Sequence, residues 1–314
     1  MKIGFIGLGN VGGKLSGSLL RNGHDVAVHD LNADFVAAKV AAGATDGQSP
    51  ANLMQTCDAV ITCLPSPVAS AAVMDEMLPH IGPGKIWMEM STTDEAEVKR
   101  IGAQVIAAGG AAVDCPVSGG CHRADTGNIA IFAGGDRPTF ERILPLLTTM
   151  GRRVLHTGDL GSASVLKVLT NFLATANLVS VAEALTVAKG AGMDLGVAYE
   201  AMAISSGTSF VHETEGQVIL NGSRDISFTM DLVAKDIGLF QDVADRAGVP
   251  LELNPLLIDI FQDGIKRFGP RELSPNIIKR LEEATGLDVT APGFPPEMVD
   301  DEPEEPGAEV IVRR

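Results

Sequence analysis

The sequence predicts an α/β protein: an N-terminal doubly wound parallel sheet followed by an all-α domain. Two features predict it. Through the first half, short apolar runs alternate with helix-length segments, as strands buried on both faces and their crossover helices should. Beyond about Gly161 the strand pattern stops and only helical patterns follow. A length of 314 residues fits two such domains at about 150 residues each.

Residues 2–6, 25–29, 58–64, 85–90 and 111–114 are short, bounded by turn residues and nearly continuous in hydrophobics. They read as parallel strands, with helices over 13–22, 33–42 and 94–108 between them. Residues 129–132 and 153–156 supply the last strands. Residues 165–192 are rich in Ala, Leu and Val and lack proline, which predicts an unusually long helix. Further helices are expected over 195–204, 231–247, 254–268 and 274–284. The expected domains are therefore 1–160 and 161–288, followed by a tail over 289–314. From 297 to 309 that tail carries seven acidic residues and no Lys or Arg, with prolines interspersed. Such a composition is expected to stay flexible and solvated.

A net charge of −16 and an aromatic content of 4% argue against nucleic acid as a partner, since phosphates are repelled and stacking platforms are few. No run of about 20 consecutive apolar residues is present, so no membrane span is expected. The chain enters a strand at once, so no signal peptide is expected. Cys57, Cys63, Cys115 and Cys121 show no Cys-x-x-Cys spacing and read as reduced thiols of a cytoplasmic protein. Cys121-His122 has no second Cys/His pair nearby, so no metal site is expected.

Gly7-Leu8-Gly9-Asn10-Val11-Gly12 is a G-x-G-x-x-G placed directly after the first strand and opening a helix. In that context the first glycine makes the tight turn and the second lets backbone approach a pyrophosphate. The third permits close helix–strand packing, and the helix N-terminus faces the phosphates. This is the Rossmann dinucleotide fingerprint. Asp30 ends the second strand, 23 residues after Gly7, where a carboxylate binds the adenosine ribose hydroxyls. It would repel the 2′-phosphate of NADP, and no Arg follows in Leu31-Asn32-Ala33-Asp34, so NAD is favoured. The alternative for Asp30 is a turn or helix-capping role.

Three more segments point to chemistry: Asp114-Cys115-Pro116-Val117-Ser118-Gly119-Gly120, the run from Gly161 through Lys167 to Asn171, and Lys235-Asp236-Ile237-Gly238-Leu239. Ser118-Gly119-Gly120 offers a hydroxyl and successive unobstructed backbone N–H groups, suited to a carboxylate, or it is a plain glycine turn. Lys167 and Asn171 lie four apart and share one helix face. A lysine there is either prepared for proton transfer by desolvation or snorkels at the surface. Lys235-Asp236 taken alone is a solvated charge pair.

With the glycine loop, these segments in this order resemble the β-hydroxyacid dehydrogenase family, over roughly residues 1–290. Its members include 3-hydroxyisobutyrate dehydrogenase, tartronate semialdehyde reductase and relatives of 6-phosphogluconate dehydrogenase. The resemblance implies that Ser118, Gly119 and Gly120 bind the substrate carboxylate, that Lys167 is the catalytic lysine and that Asn171 is its neighbouring asparagine. It also implies that Leu64-Pro65 lines the dinucleotide, that Thr92 lies near the nicotinamide ribose and that Lys235 reaches the cofactor region. Val11 departs from the Met many relatives carry. Cys121-His122-Arg123 replaces small residues, so His122 and Arg123 would either recognise an extra polar group on the substrate or point to solvent.

The expected activity is an NAD-dependent interconversion of a small 3-hydroxy acid and its semialdehyde. The alternatives are a tartronate-semialdehyde, threonate or sulfolactaldehyde-type reductase, or a non-catalytic dinucleotide-binding scaffold. A Tyr-x-x-x-Lys mechanism is excluded because the one tyrosine, Tyr199, is followed at that offset by Ala203. The apolar long helix also predicts a homodimer or homotetramer.

Overall fold

The computed structural model describes residues 1–312 and divides into two compact units. The first comprises Met1–Lys167 and the segment from Asp300 onward; the second is Val168–Val299.

The first unit opens with β1 (Ile3–Ile6), α1 (Gly12–Arg21), β2 (Val26–His29), α2 (Ala33–Ala41), β3 (Thr45–Asp46) and α3 (Pro50–Thr56). Next come β4 (Ala59–Thr62), α4 (Pro67–Met77), β5 (Ile86–Glu89), α5 (Glu95–Ala107), β6 (Ala111–Asp114), β7 (Val117–Ser118) and α6 (Gly120–Thr126). It continues through β8 (Ile129–Gly134), α7 (Arg137–Met150), β9 (Gly151–Gly158) and the start of α8 (Ser162–Gly190). In space the sheet order is β10-β9-β8-β6-β5-β4-β1-β2-β3, where β10 is Ala308–Glu309 and β7 pairs beside β8. All neighbours are parallel except β6 with β8 and β7 with β8. The order reverses at β1, flanked by β2 and β4, which opens a crevice at the carboxyl ends of the strands.

Alternation along each strand explains why both faces are covered. Ile3, Phe5, Val26, Val28, Ala59, Ile61, Ile86 and Met88 enter one apolar cluster, while Ile6, Ala27, Val60 and Trp87 enter another. Helix starts are fixed by short polar side chains. Ser49, Ser66, Asp94 and Asp136 cap α3, α4, α5 and α7 by accepting a backbone N–H, and proline enters the first turn of α3, α4 and α7.

The second unit holds the rest of α8, then α9 (Leu195–Ala203), α10 (Phe210–Asn221), α11 (Met230–Ala247), α12 (Leu253–Phe268) and α13 (Lys279–Thr285). No strand is assigned there among the described residues. Its core gathers Leu178, Leu185, Tyr199, Ile219, Met230 and Phe261 with their neighbours. By length and composition alone, α8 is apolar enough to cross a bilayer, a feature that the count of consecutive apolar residues overlooks.

Two boundaries differ from the sequence reading. The first unit runs to Lys167 rather than 160, because the first turn of α8 is bonded to the end of β6. The segment 289–314 is not a free tail over its described part. From Asp300 to Val312 it belongs to the first unit and adds β10 parallel to β9; residues 313 and 314 lie outside the described residues. Several of its carboxylates have partners, among them Glu309 on Arg137 (2.6 and 2.9 Å) and Glu305 on Arg152 (2.6 Å). Charge that looks solvated in a local window is matched by arginines far back in the chain.

Candidate active site

Gly7 follows β1 with φ of +93°, and a Cβ there would overlap the carbonyl oxygen of Cys63. A Cβ on Gly12 would overlap the carbonyl oxygen of Gly7. Gly9 meets nothing within 4 Å, so the loop is tight where it touches protein and open where a phosphate would approach. Leu8 and Gly12 are buried, Val11 is half-buried, and Gly9 and Asn10 are exposed. Asp30, just past β2, receives the Leu8 N–H on Oδ2 (2.6 Å) and the Asn32 N–H on Oδ1 (2.8 Å). It therefore makes the turn and carries its charge to the glycine loop; the cap of α2 is Asn32. These residues fit NAD: an open glycine at the helix start, and a carboxylate that disfavours a 2′-phosphate.

The loops after β4 and β5 are tied together beside it. Glu89 ends β5 fully buried, and its Oε1 accepts the Ser91 N–H (2.8 Å) and the Ser91 hydroxyl. Ser91 Oγ in turn accepts the Leu64 N–H (2.7 Å). Burial pushes the Glu89 carboxyl up, against the hydrogen bonds from Ser91, Ser70 and Thr62. Leu64, Pro65 and Thr92 thus sit on loops held by a relay the sequence reading missed. Its one visible signal was a glutamate closing an otherwise apolar strand.

Ser118 ends β7, opposite Ala130 of β8. Gly119 and Gly120 follow with φ of +131° and +86°, backbone that side chains rarely tolerate, and lead into α6. His122 and Arg123 lie on α6. Burial pushes the His122 imidazole down, helped by Arg123 and opposed by Asp300. The Arg123 stem runs beside Gly119, and its guanidinium stands 3.6 Å from Glu302 of the C-terminal segment.

Asp114 closes β6 fully buried. Its Oδ1 accepts the Gly161 N–H (2.7 Å), and its Oδ2 accepts the Ser164 N–H (2.7 Å) and hydroxyl (2.8 Å). The strand that leads to Ser118 therefore also caps the helix that carries Lys167. Lys167 is 9% exposed, one turn of α8 before Asn171. Within the second unit, Asn171 donates to Asp236 of α11, and Lys235 Nζ stands 2.9 Å from Asp236 Oδ1. Phe172 stacks on Phe240 at 4.3 Å, holding α8 and α11 together at that level. Asp236, 2% exposed, organises both polar neighbours, so Lys235-Asp236 is not a solvated pair.

Residues 2–158 match the family model described as the NAD binding domain of 6-phosphogluconate dehydrogenase. Residues 161–281 match the NAD-binding domain of NADP-dependent 3-hydroxyisobutyrate dehydrogenase. The chain is 32% identical to 2-(hydroxymethyl)glutarate dehydrogenase of Eubacterium barkeri over 92% of its own length and 98% of the relative's. It is 33% identical to NAD-dependent L-serine dehydrogenase of Pseudomonas aeruginosa, over 90% and 98%. The solved structure of Mycobacterium tuberculosis 3-hydroxyisobutyrate dehydrogenase with L-serine superposes with a TM-score of 0.81 at 26% identity, covering 89% of this chain and 98% of that one. With both halves matched and the glycine loop built as a dinucleotide cradle, the chain belongs to the NAD-dependent β-hydroxyacid dehydrogenase family.

Proposed function

We propose that the protein interconverts a small 3-hydroxy acid and its semialdehyde with NAD, Lys167 acting as general acid and base. The observation that carries this reading is Lys167 itself. Lysine is among the residues least often buried, yet this one is 9% exposed on a helix whose first turn is fixed by Asp114. The bound cofactor supplies hydride acceptance at its nicotinamide ring. Lys167 Nζ takes the hydroxyl proton as the alcohol is oxidised, and returns it when the aldehyde is reduced. Ser118, Gly119 and Gly120 hold the substrate carboxylate, and Asn171, oriented by Asp236, aligns the substrate.

Glycine-loop contacts and Asp30 support NAD over NADP. Exposed Leu173, Val187, Val197 and Ile204 on α8, α9 and the turn that follows support a second copy as the cover of that apolar face. The relatives named above act on acids of different sizes, so the substrate is to be found by assay. The test is cofactor reduction with NAD and then NADP across 3-hydroxyisobutyrate, L-serine, 2-(hydroxymethyl)glutarate, glycerate and threonate, with Lys167→Ala alongside. Turnover with NAD that falls by about 10²- to 10⁴-fold in the variant, at unchanged NAD affinity, is expected. Near-native turnover in Lys167→Ala would overturn the mechanism. Silence on every acid despite NAD binding would favour a dinucleotide-binding scaffold.

A further inference from the structure

The short helix that follows Ser118-Gly119-Gly120 has little to hold it in place by itself. At seven residues, α6 is below the length at which helices are stable alone, and its first turn has no side-chain cap. Its position must come from tertiary partners, and the segment from Asp300 onward supplies several of them. Asp300 Oδ2 accepts the Thr126 hydroxyl, at the last residue of α6, and the Asn128 side-chain amide (2.8 Å). The Glu302 carbonyl accepts the same Asn128 amide (2.9 Å). Partial burial pulls the Asp300 carboxyl upward, but the bonds from Thr126, Asn128 and the Glu302 backbone outweigh it and hold it below the usual carboxylate range.

Glu304 reaches the far end of α1, accepting from Asn22 (3.1 Å) and lying 3.4 Å from Arg21. Arg21 also donates to the Asp125 carbonyl (2.6 Å), so α6 is clamped against the helix that begins at the cofactor loop. The segment is anchored again downstream. The Gly307 N–H donates to Thr148 O (2.8 Å), β10 pairs with β9, and Glu309 grips Arg137. The Arg123–Glu302 pair, long and exposed, adds little. The part-buried bonds at Asp300 are the effective ones.

We infer that residues 300–312 form a strap that sets the position of α6, and that Asp300 is a positioning residue for the loop that receives the substrate carboxylate. The inference rests on the proposed role of Ser118-Gly119-Gly120. Because the strap is held independently at β10, losing the Asp300 carboxylate should loosen α6 at its C-terminal end, where Thr126 is bonded, without releasing the strap.

The test uses the full-length chain, comparing wild type, Asp300→Ala, Asp300→Asn and Thr126→Val. Hydrogen exchange of amides 119–127 and 308–310 is read beside NAD affinity and the steady-state constants for whichever acid the wild type turns over. For Asp300→Ala, exchange across α6 should rise by about tenfold or more while β10 stays protected. KM for the acid should rise by about tenfold, with kcat and NAD affinity within about twofold. Asp300→Asn, which keeps an acceptor oxygen, should fall between Ala and wild type, and Thr126→Val should show part of the same effect. Unchanged exchange in α6, equal loosening of α6 and β10, or a fall in kcat at constant KM would overturn the proposal. If no acid is turned over, the activity reading has failed, and the exchange pattern alone decides whether the strap holds α6.

Discussion

Asp114 and Ser164 are joined twice: one carboxylate oxygen receives both the backbone N–H (2.7 Å) and the hydroxyl (2.8 Å) of Ser164, in the first turn of α8. The other oxygen takes the Gly161 N–H (2.7 Å), so three donors converge on one buried group. Desolvation pushes the carboxyl up, opposed by these three bonds.

Replacing Asp114 by Ala strands those donors away from water. Each hydrogen bond to a charged, buried acceptor is worth about 1.5–3 kcal/mol, so losing three in Asp114→Ala should lower unfolding free energy by at least about 3 kcal/mol. Lys167 lies one turn further along α8, so kcat should fall as well. Denaturant titration and steady-state assay of one preparation check both. Full activity in a destabilised variant would show that the cap does not position Lys167.

Glycines of one loop should fail in different ways. At Gly12 a Cβ overlaps the Gly7 carbonyl, whereas at Gly9 it meets nothing within 4 Å. Gly12→Ala should therefore destabilise the apoprotein by at least about 2 kcal/mol. Gly9→Ala should melt like wild type yet bind NAD about tenfold or more weakly, since its methyl enters the space the pyrophosphate needs. Thermal melts with and without NAD separate the two.

Asp30 braces Leu8 by accepting its backbone N–H, and its proposed second role is to meet the adenosine ribose of the cofactor. Asp30→Ala should weaken NAD binding by about tenfold while leaving NADP binding unchanged or improved. Calorimetric titration with each cofactor measures the ratio, and an unchanged preference would remove Asp30 from cofactor selection.

In α10, Glu215 has an enclosed Oε2 with no hydrogen-bond partner, and burial pushes its carboxyl up to about 8. The folded chain then keeps a proton that the unfolded chain has released. Between the ordinary value of 4.5 and about 8, stability should fall as pH rises. Glu215→Gln should flatten that slope, which denaturation midpoints at a series of pH values would show.

How far the sequence could be read depends on distance along the chain. Residues 111–114 and the neighbouring strands were legible because strands buried on both faces are continuous in hydrophobics. Gly7, Gly9, Gly12 and Asp30 were legible because the dinucleotide motif is local. Helix α4 carries no clear amphipathic stripe, and its start is marked chiefly by Ser66 and Pro67. Glu89 and Asp114 showed only as acids closing apolar strands; their partners Ser91, Gly161 and Ser164 emerge from folding. The acidic segment misled for the same reason. Its partners Arg21, Arg137 and Arg152 precede it by more than a hundred residues, beyond any local window.

One edge of the sheet is completed by residues 308–309, which pair with Arg153 and Val154 of β9 from far along the chain. During synthesis, β9 leaves the ribosome with Arg153 and Val154 unpaired on one edge and remains so while residues 168–299 are translated, for roughly 7–26 seconds at about 5–20 residues per second. The cofactor-binding unit is thus begun before the helical unit and completed after it. A nascent chain arrested before residue 308 presents an unpaired strand edge, the feature through which partly made proteins join one another. Termination before residue 308 should therefore favour self-association in proportion to how long that edge stays open.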